Sequence, residues 1–458
     1  MSFRVLRVPS GAFAPDSCHT LTLRTAPPQT MFLSAGRGGN ESGLSHTYVV
    51  HYSEVALKGN NRPEFVRSLR RNIRRALLSA GDVVVESKDG RLLVNTNADE
   101  EEACRALSKV FGVAWFSRAD VVESEYRKIR EAVLSRAHAK RESTFRIVVR
   151  RTDKSFSPHS MEMERRLGEE VIKSTGMRVD LSHPAESVHV DIIRGRALVY
   201  SDKTQGPGGL PVGTAGRVVH LFSGGIDSPV AAWLLMKRGC TPVYLHFYLA
   251  PTPAYVMESK VLRLVKILSV FSGKSTLLLV PFANYQLATA EVPNDLEPSL
   301  FRRFMRITAE ILASRFGASA ISTGDCLSQA ASQTLWNLRT FDSGSSLLVL
   351  RPLLSYDKNE VIQLARRIGT YEPSIEEYRD CCAIITRHPR TRSKNDLILR
   401  YSDRLRFKEL AEASLRGGTL VTYNPVSGGL KVAPLAEVNG QPPEASLGAG
   451  TNHHEAGL

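Results

Sequence analysis

The chain has 458 residues, 42% of them hydrophobic and 23% charged, a balance that excludes wholesale disorder and leaves room for two or three domains of roughly 100–200 residues. Its formal net charge of +14 fits a polyanionic partner, because phosphate neutralisation releases counterions; a merely solubilising surface is the alternative. No apolar stretch approaches the roughly 20 residues that cross a bilayer, and six scattered cysteines without a Cys-x-x-Cys pair exclude a disulfide scaffold, so no membrane contact and a reducing, cytoplasmic setting are expected.

Residues 1–45 are acid-poor and broken by Pro and Gly. They read as a disordered leader, with a transit peptide or a later start at Met31 as alternatives. "YVVHYSEVA" (48–56) predicts a strand, and Pro63 suits a first helical turn, where its missing amide is not needed. In "FVRSLRRNIRRALLSA", Phe65, Leu69, Ile73 and Leu77 share one helical face. Arg67, Arg70, Arg71, Arg74 and Arg75 crowd the rest; Arg67 and Arg71, with Lys58, are candidate phosphate contacts rather than only a solvated face. Strands "DVVVES" and "GRLLVNT" and a helix from about Asp99 to Val110 complete a β-α-β-β-α order, which suits a ferredoxin-like domain over 46–110.

A second α+β segment spans 111–204. Its strand "TFRIVVRR" runs into a basic loop, where Arg150, Arg151 and Lys154 stand near Phe156. Such a loop can hold a nucleic-acid backbone and stack a base, or be an ordinary turn. Gly- and Pro-rich residues 205–217 read as a linker. From 218 to 398 strands and helices alternate, which predicts a doubly wound parallel α/β sheet. Residues 399–458 read as a helix followed by a disordered Gly/Pro/Ala-rich tail.

In doubly wound sheets ligands sit at the carboxyl ends of strands, and "VVHLFSGGIDSP" places Ser223, Gly224, Gly225, Asp227 and Ser228 at such an end. Glycines let amides approach an anion, the serines add hydroxyls, and the next helix offers its positive N-terminus. No Gly-Lys-Ser/Thr follows, so this is not a Walker A loop. Asp227 would repel phosphate unless Mg²⁺ bridges the two; a helix cap is its structural alternative.

"SGGIDSP" after an apolar strand resembles the PP-loop of ATP pyrophosphatases, an adenine nucleotide alpha hydrolase-like fold. Together with "YSEVALKGNNRPEF", "GPGGLPVGTAGR", "ASQTLWNLRT", "RPLLSYDKNEVIQLARRIGTYEPS" and "DCCAIITRHP", the span 48–395 is similar to the tRNA 4-thiouridine synthetase (tRNA sulfurtransferase) family. The resemblance implies a ferredoxin-like domain, a THUMP domain and a PP-loop domain, in that order. It implies ATP and Mg²⁺, a tRNA substrate modified at uridine 8, and a persulfide donor such as a cysteine desulfurase. It further implies ATP contacts at Leu221, Phe222, His246, Phe247, Arg302, Gly324 and Gln333, in addition to the loop. Leu221 and Phe247 would otherwise read as core and His246 as a satisfied strand end, and Arg302 is hard to separate from Arg303.

Adenylation of the uridine C4 oxygen makes it a leaving group that sulfur can displace. A cation must steady the α-phosphate; Lys358 matches that family position, and a surface lysine is the alternative. Cys382 matches the catalytic cysteine region as persulfide carrier or resolving thiol, with Cys381 as resolving partner or spectator. No cysteine follows Cys382, so the rhodanese-like domain of some members is expected to be absent. Asp325 in "TGDCLSQ" stands where Glu is expected, which puts a metal or ribose contact there in doubt. Sulfur supply to thiamine's thiazole ring, and a homodimer, stay open. The competing expectations are another PP-loop adenylating enzyme, or a tRNA-binding protein whose nucleotide site has decayed.

Overall fold

The computed structural model of the chain describes residues 46–88, 90–140, 144–152, 156–379, 381 and 390–437. Strand β1 (His46–His51) ends sooner than expected, because Glu54–Leu57 coil into a 3-10 turn instead of extending. Helix α1 (Arg62–Leu77) buries Val66, Leu69, Ile73 and Leu77, and leaves Arg67, Arg70, Arg71 and Arg74 exposed. Strands β2 (Val83–Lys88) and β3 (Arg91–Thr96) and helix α2 (Glu100–Leu107) follow. Next come β4 (Trp115–Glu123), α3 (Tyr126–Lys140), β5 (Thr144–Arg151), α4 (Ser160–Thr175), β6 (Arg178–Val179), β7 (Glu186–Ile193), β8 (Arg196–Tyr200) and β9 (Thr204–Gln205).

These strands form one nine-stranded sheet, ordered β2-β3-β1-β4-β8-β7-β5-β6, with β9 on β4. β4 is its joint: Trp115–Ala119 pair with β1, and Asp120–Glu123 pair with β8. The expected boundary at 110/111 therefore falls just ahead of a strand that serves both halves.

Residues 205–217 are not a loose linker. Gly206 and Gly208 donate to the carbonyls of Ala114 and Val113, Leu210 donates to the carbonyl of Lys237, and Leu210 and Val212 are buried. Asn72 of α1 clamps the Val212 carbonyl at 3.1 Å. A Cβ on Gly206 would meet the Val113 carbonyl, so the glycines here permit close packing rather than slack.

The third region runs through β10 (Arg217–Leu221), α5 (Asp227–Lys237), β11 (Thr241–Tyr248), α6 (Pro253–Glu258), α7 (Lys260–Ser272), β12 (Ser275–Pro281), α8 (Ala283–Ala288), α9 (Glu297–Phe316), β13 (Ala318–Ser322), α10 (Leu335–Asp342), β14 (Leu348–Leu350), α11 (Lys358–Ile368) and α12 (Tyr371–Ile375). Its sheet is seven-stranded, ordered β14-β13-β10-β11-β12-β15-β16. The first five of these strands are parallel neighbours. Apolar residues of α5, α7 and α11 pack on one face, and those of α9 and helix Phe407–Arg416 on the other, the doubly wound arrangement. β15 (Thr419–Tyr423) and β16 (Leu430–Pro434) add to the edge antiparallel to β12 and to each other. The chain beyond 420 is therefore sheet as far as Pro434, not tail, because "TLVTY" can bury Leu420 and Val421. No helix among the described residues is long and apolar enough to cross a membrane.

Candidate active site and nucleic-acid interface

The Ser-Gly-Gly loop lies between β10 and α5, where the parallel strands end. The Ser228 hydroxyl closes it, accepting from the Ser223 amide at 3.0 Å and donating to the Ser223 carbonyl at 2.8 Å. A Cβ on Gly224 would stand 2.7 Å from Cε of Lys260, whereas one on Gly225 would find nothing nearer than the Ser223 hydroxyl at 3.5 Å. Thus Gly224 admits a lysine side chain, and Gly225 leaves the open face of the loop bare. Gly324, just after β13, packs on the start of α5; a Cβ there would be 2.9 Å from the Ser228 nitrogen.

Asp227 is not a cap. It is the first residue of α5, and no side-chain cap bond is made at that terminus. Instead its carboxylate accepts from Lys358 Nζ at 2.7 Å and Gln329 Nε2 at 2.9 Å. Lys358 begins α11, behind a capping box formed by Asp357 and Glu360. A lysine at the positive end of a helix works against the dipole; here the Asp227 carboxylate offsets that cost. The N-termini of α5 and α11 and the Lys358 ammonium converge on the loop.

His220 lies under the loop. Its Nε2–H donates to the Ser228 carbonyl at 2.9 Å, so Nδ1 accepts from the Ser322 hydroxyl at 2.7 Å. Burial drives its pKa down from 6.5 to about 4, keeping the ring neutral. His246 is likewise buried, with Nδ1–H donating to the Phe222 carbonyl at 2.9 Å and Nε2 meeting the Tyr378 hydroxyl at 2.9 Å. Phe222 is buried and Leu221 half-buried. The Phe247 ring packs against Phe301 and Phe304 as core.

Arg302 and Arg303 separate cleanly. Arg302 grips Asp325 with both terminal nitrogens, at 2.9 and 2.7 Å, while Arg303 donates to the Ser343 carbonyl. Asp325 also accepts from Thr323 Oγ1, Arg351 Nε and, at 3.4 Å, Gln333 Nε2. Burial alone would raise its pKa, but Arg302, Thr323 and Arg351 outweigh that and hold the carboxyl below its usual range. The Asp325 carboxylate thus organises Arg302 and Gln333 rather than reaching outward. Gln333 keeps a buried Oε1 with no partner, an acceptor left over at the site.

Cys326 is buried, and burial together with Asp227 pushes its thiol up to about 11, so it is not a ready nucleophile. Cys381 donates its thiol hydrogen to the Phe247 carbonyl at 3.2 Å. Cys382 lies outside the described residues. Lys260 went unremarked in the sequence: it is buried, and Nζ donates to the carbonyls of Ser374 and Glu376, both at 2.7 Å. The segment approaching the cysteine pair is thereby fastened beside the loop. Gln329 and Lys260 make contacts more than 100 residues away, which no local pattern shows.

Asp227 is the one loop carboxylate, and among the described residues no group of three or more His, Cys, Asp or Glu could cage a metal. A single carboxylate suits Mg²⁺, which takes its remaining ligands from substrate phosphates and water.

Arg67 and Arg71 of α1 and Arg150 of β5 are exposed, and Lys58 lies 5.1 Å over Phe65. Arg151 faces inward onto its own loop, donating to the Phe156 carbonyl and meeting His159 Nδ1 at 2.9 Å. Lys154 lies outside the described residues. The sequence also hid a row of rings across the strands: His51 stacks on Trp115 at 4.0 Å, Trp115 neighbours Tyr200 at 6.0 Å, and Tyr200 stacks on His189 at 5.1 Å. Burial first, then nearby cations including Arg150 and Lys203, lower both histidines to about 4.

Three family models match in chain order: the ThiI ferredoxin-like domain over 47–117, the THUMP domain over 123–202, and the thiamine biosynthesis protein ThiI over 213–407. The "Probable tRNA sulfurtransferase" of Caldanaerobacter subterraneus is 38% identical over 81% of this chain and 98% of its own length. The chain belongs to the tRNA sulfurtransferase family. The protein of that name from Thermus thermophilus is also 38% identical, over 81% of this chain and 92% of its own. A crystal structure described as a 4-thiouridine synthetase–RNA complex with bound ATP superposes with a TM-score of 0.75, at 32% identity, covering 82% of this chain and 99% of that one. The expected order of ferredoxin-like, THUMP and PP-loop domains is thus the order found in a tRNA sulfurtransferase.

Proposed function

We propose that the chain is an ATP-dependent tRNA sulfurtransferase that converts uridine 8 to 4-thiouridine in the cytoplasm. The observation that carries the reading is the Asp227–Lys358 pair, 2.7 Å apart, above a bare-faced Ser-Gly-Gly loop. The β- and γ-phosphates of ATP entering the loop would meet the amides around Gly225, and Asp227 would be the residue to hold Mg²⁺ in place of Lys358. Mg²⁺ there would neutralise phosphate charge; Lys358, released, would turn to the α-phosphate. The uridine C4 oxygen bonds the α-phosphorus, and pyrophosphate leaves. The outer sulfur of the persulfide then bonds C4 and AMP departs with the oxygen; a second thiol attacks the inner sulfur, which breaks the S–S bond, frees 4-thiouridine and leaves a disulfide for an external thiol to reduce.

The neutral His220 and the buried His246 fix the loop from behind. Arg302 and Gln333, aligned by Asp325, border the nucleotide. We assign Cys382 to the sulfur step as carrier or resolving thiol, with a cysteine desulfurase or another persulfide source as donor. Lys58, Arg67, Arg71 and Arg150 would offer phosphate contacts to tRNA; Arg151, turned onto its own loop, would shape that loop instead, and the expected contact at Lys154 lies outside the described residues. The match to a thiamine biosynthesis family favours a second use of the same sulfur, in thiamine's thiazole ring.

The test incubates the chain with unmodified tRNA, ATP, Mg²⁺ and a persulfide donor and measures 4-thiouridine by mass spectrometry. Asp227→Ala and Lys358→Ala should each lose about 100-fold or more of the thiolation rate, the usual effect of removing a group that stabilises transition-state charge. Cys382→Ser should still release pyrophosphate but give no thiolated product. Tight tRNA binding with no product from the wild type would replace the enzyme with a binding protein.

A further inference from the structure

Beside the cradle the surface carries an aromatic that the fold does not need. Trp336, in the first turn of α10, keeps 48% of its surface exposed, and its neighbour Leu335 keeps 68%. The Arg392 guanidinium lies 3.9 Å from the indole centroid. Both supports of this pair are tied down. Thr334 caps the Asn337 amide and donates to the Thr391 carbonyl at 2.7 Å. Asn337 donates to the Ala331 and Arg390 carbonyls, at 2.7 and 2.9 Å, and accepts from the Ser393 amide.

The position is what gives the pair meaning. The turn leading into α10 carries Gln333, which reaches Asp325, and Gln329, which reaches Asp227. The other support is the segment the chain enters soon after Cys382. The charge is one-sided: residues 390–394 hold Arg390, Arg392 and Lys394 and no acid, and the one acid of α10, Asp342, sits at its far end, paired with Arg351. Arg390 is neutralised by Asp295, leaving Arg392 as the cation on the ring.

We propose that Trp336 and Arg392 form a stacking site for an unstacked base of the RNA substrate, held beside the adenylation cradle. The inference rests on the tRNA-directed reading above. Chemistry at C4 of a base requires that the base leave its stack, and a base taken out of its stack is held by aromatic faces and guanidinium planes. An indole already carrying an arginine on one side supplies both, without reading sequence.

Intrinsic fluorescence and kinetics test it together. The chain has three tryptophans, and Trp233 is buried at 3% exposure. Adding unmodified tRNA to the ATP-loaded wild type should quench emission; Trp336→Phe should lose that component while still binding tRNA, leaving only what Trp115 contributes. Trp336→Ala should raise KM for tRNA by about 5- to 100-fold, the span of a lost base–aromatic stack, with ATP affinity unchanged, and Trp336→Phe should restore it to within about threefold. Arg392→Ala should raise the same KM, and this arm stands even if Trp336→Ala folds poorly. Wild-type KM for tRNA in both alanine variants overturns the proposal. So does a rise in KM for the persulfide donor alone, which would make the patch a protein-docking surface. If the wild type makes no 4-thiouridine, the sulfur-transfer reading fails, while the quench difference still decides the stacking site.

Discussion

Asp325 shows how a single buried carboxylate can organise a site. Its carboxylate is buried and shared by Arg302, Arg351, Thr323 and Gln333. Asp325→Asn would leave two arginines facing a neutral amide, and breaking a buried pair in this way costs about 3–5 kcal/mol. A lower midpoint in urea unfolding, with weaker ATP binding, is the expected outcome; an unchanged midpoint would mean that Arg302 and Arg351 find other partners. The sign with pH is clear: because the folded pKa is depressed, this stabilisation is complete at neutral pH and is lost only as pH falls through that depressed value.

Much at this scale was legible in the sequence where residues are neighbours, as in Ser223–Ser228. Lys358 facing Asp227 is a contact between residues 131 positions apart; the family resemblance pointed to Lys358, and nothing in the sequence pointed to this contact. Trp336 was visible inside "ASQTLWNLRT", but its exposure was not, because apolar residues in a helical pattern read as core.

Among the elements, the contact that makes the cradle is the approach of β13 to α5. Gly324 permits it, since any Cβ would press on backbone atoms of Asp227 and Ser228 within 3.0 Å. Backbone cannot swing aside as a side chain can, so Gly324→Ala should displace the start of α5 and cut ATP-dependent AMP formation by about 10-fold or more, given how steeply rate falls with misplaced groups. Comparing KM for ATP with overall stability checks this: a shifted loop raises KM, whereas a mere packing defect lowers stability alone.

The strand–helix alternation that announced the doubly wound sheet came from periodicity. β15 and β16 escaped that reading because short strands embedded in Gly/Pro-rich sequence lose their alternation to the surrounding composition. The segment 205–217 misled in the opposite direction. Its glycines look like slack in sequence and act as clearance in space.

For the whole molecule, acid should be the weakness. His51, His189 and His220 all titrate near pH 4 in the folded chain, against an ordinary 6.5. The unfolded chain takes up those protons first, so stability is full above about pH 6.5 and falls towards pH 4, by about 1.4 kcal/mol per pH unit for the fully buried His220 alone. The two histidines of the nine-stranded sheet steepen the loss. Denaturant unfolding at pH 7, 6 and 5 should show the decline, and His220→Gln should flatten it; a stability independent of pH over that interval would contradict the neutral rings.

The joint at β4 has a mechanical consequence. One strand is bonded to β1 along its first half and to β8 along its second, so neither half of the sheet can hinge against the other without breaking a ladder. The packed strap that follows carries the same stiffness on to α5, through Leu210 and the Lys237 carbonyl. On the sulfurtransferase reading, this frame would hold the basic residues of the sheet and the Ser-Gly-Gly loop a set span apart. An RNA gripped at one end would present to chemistry only the nucleotide that its own folded shape sets at that distance. Such a protein would select its target as a gauge with no moving jaw does, by length.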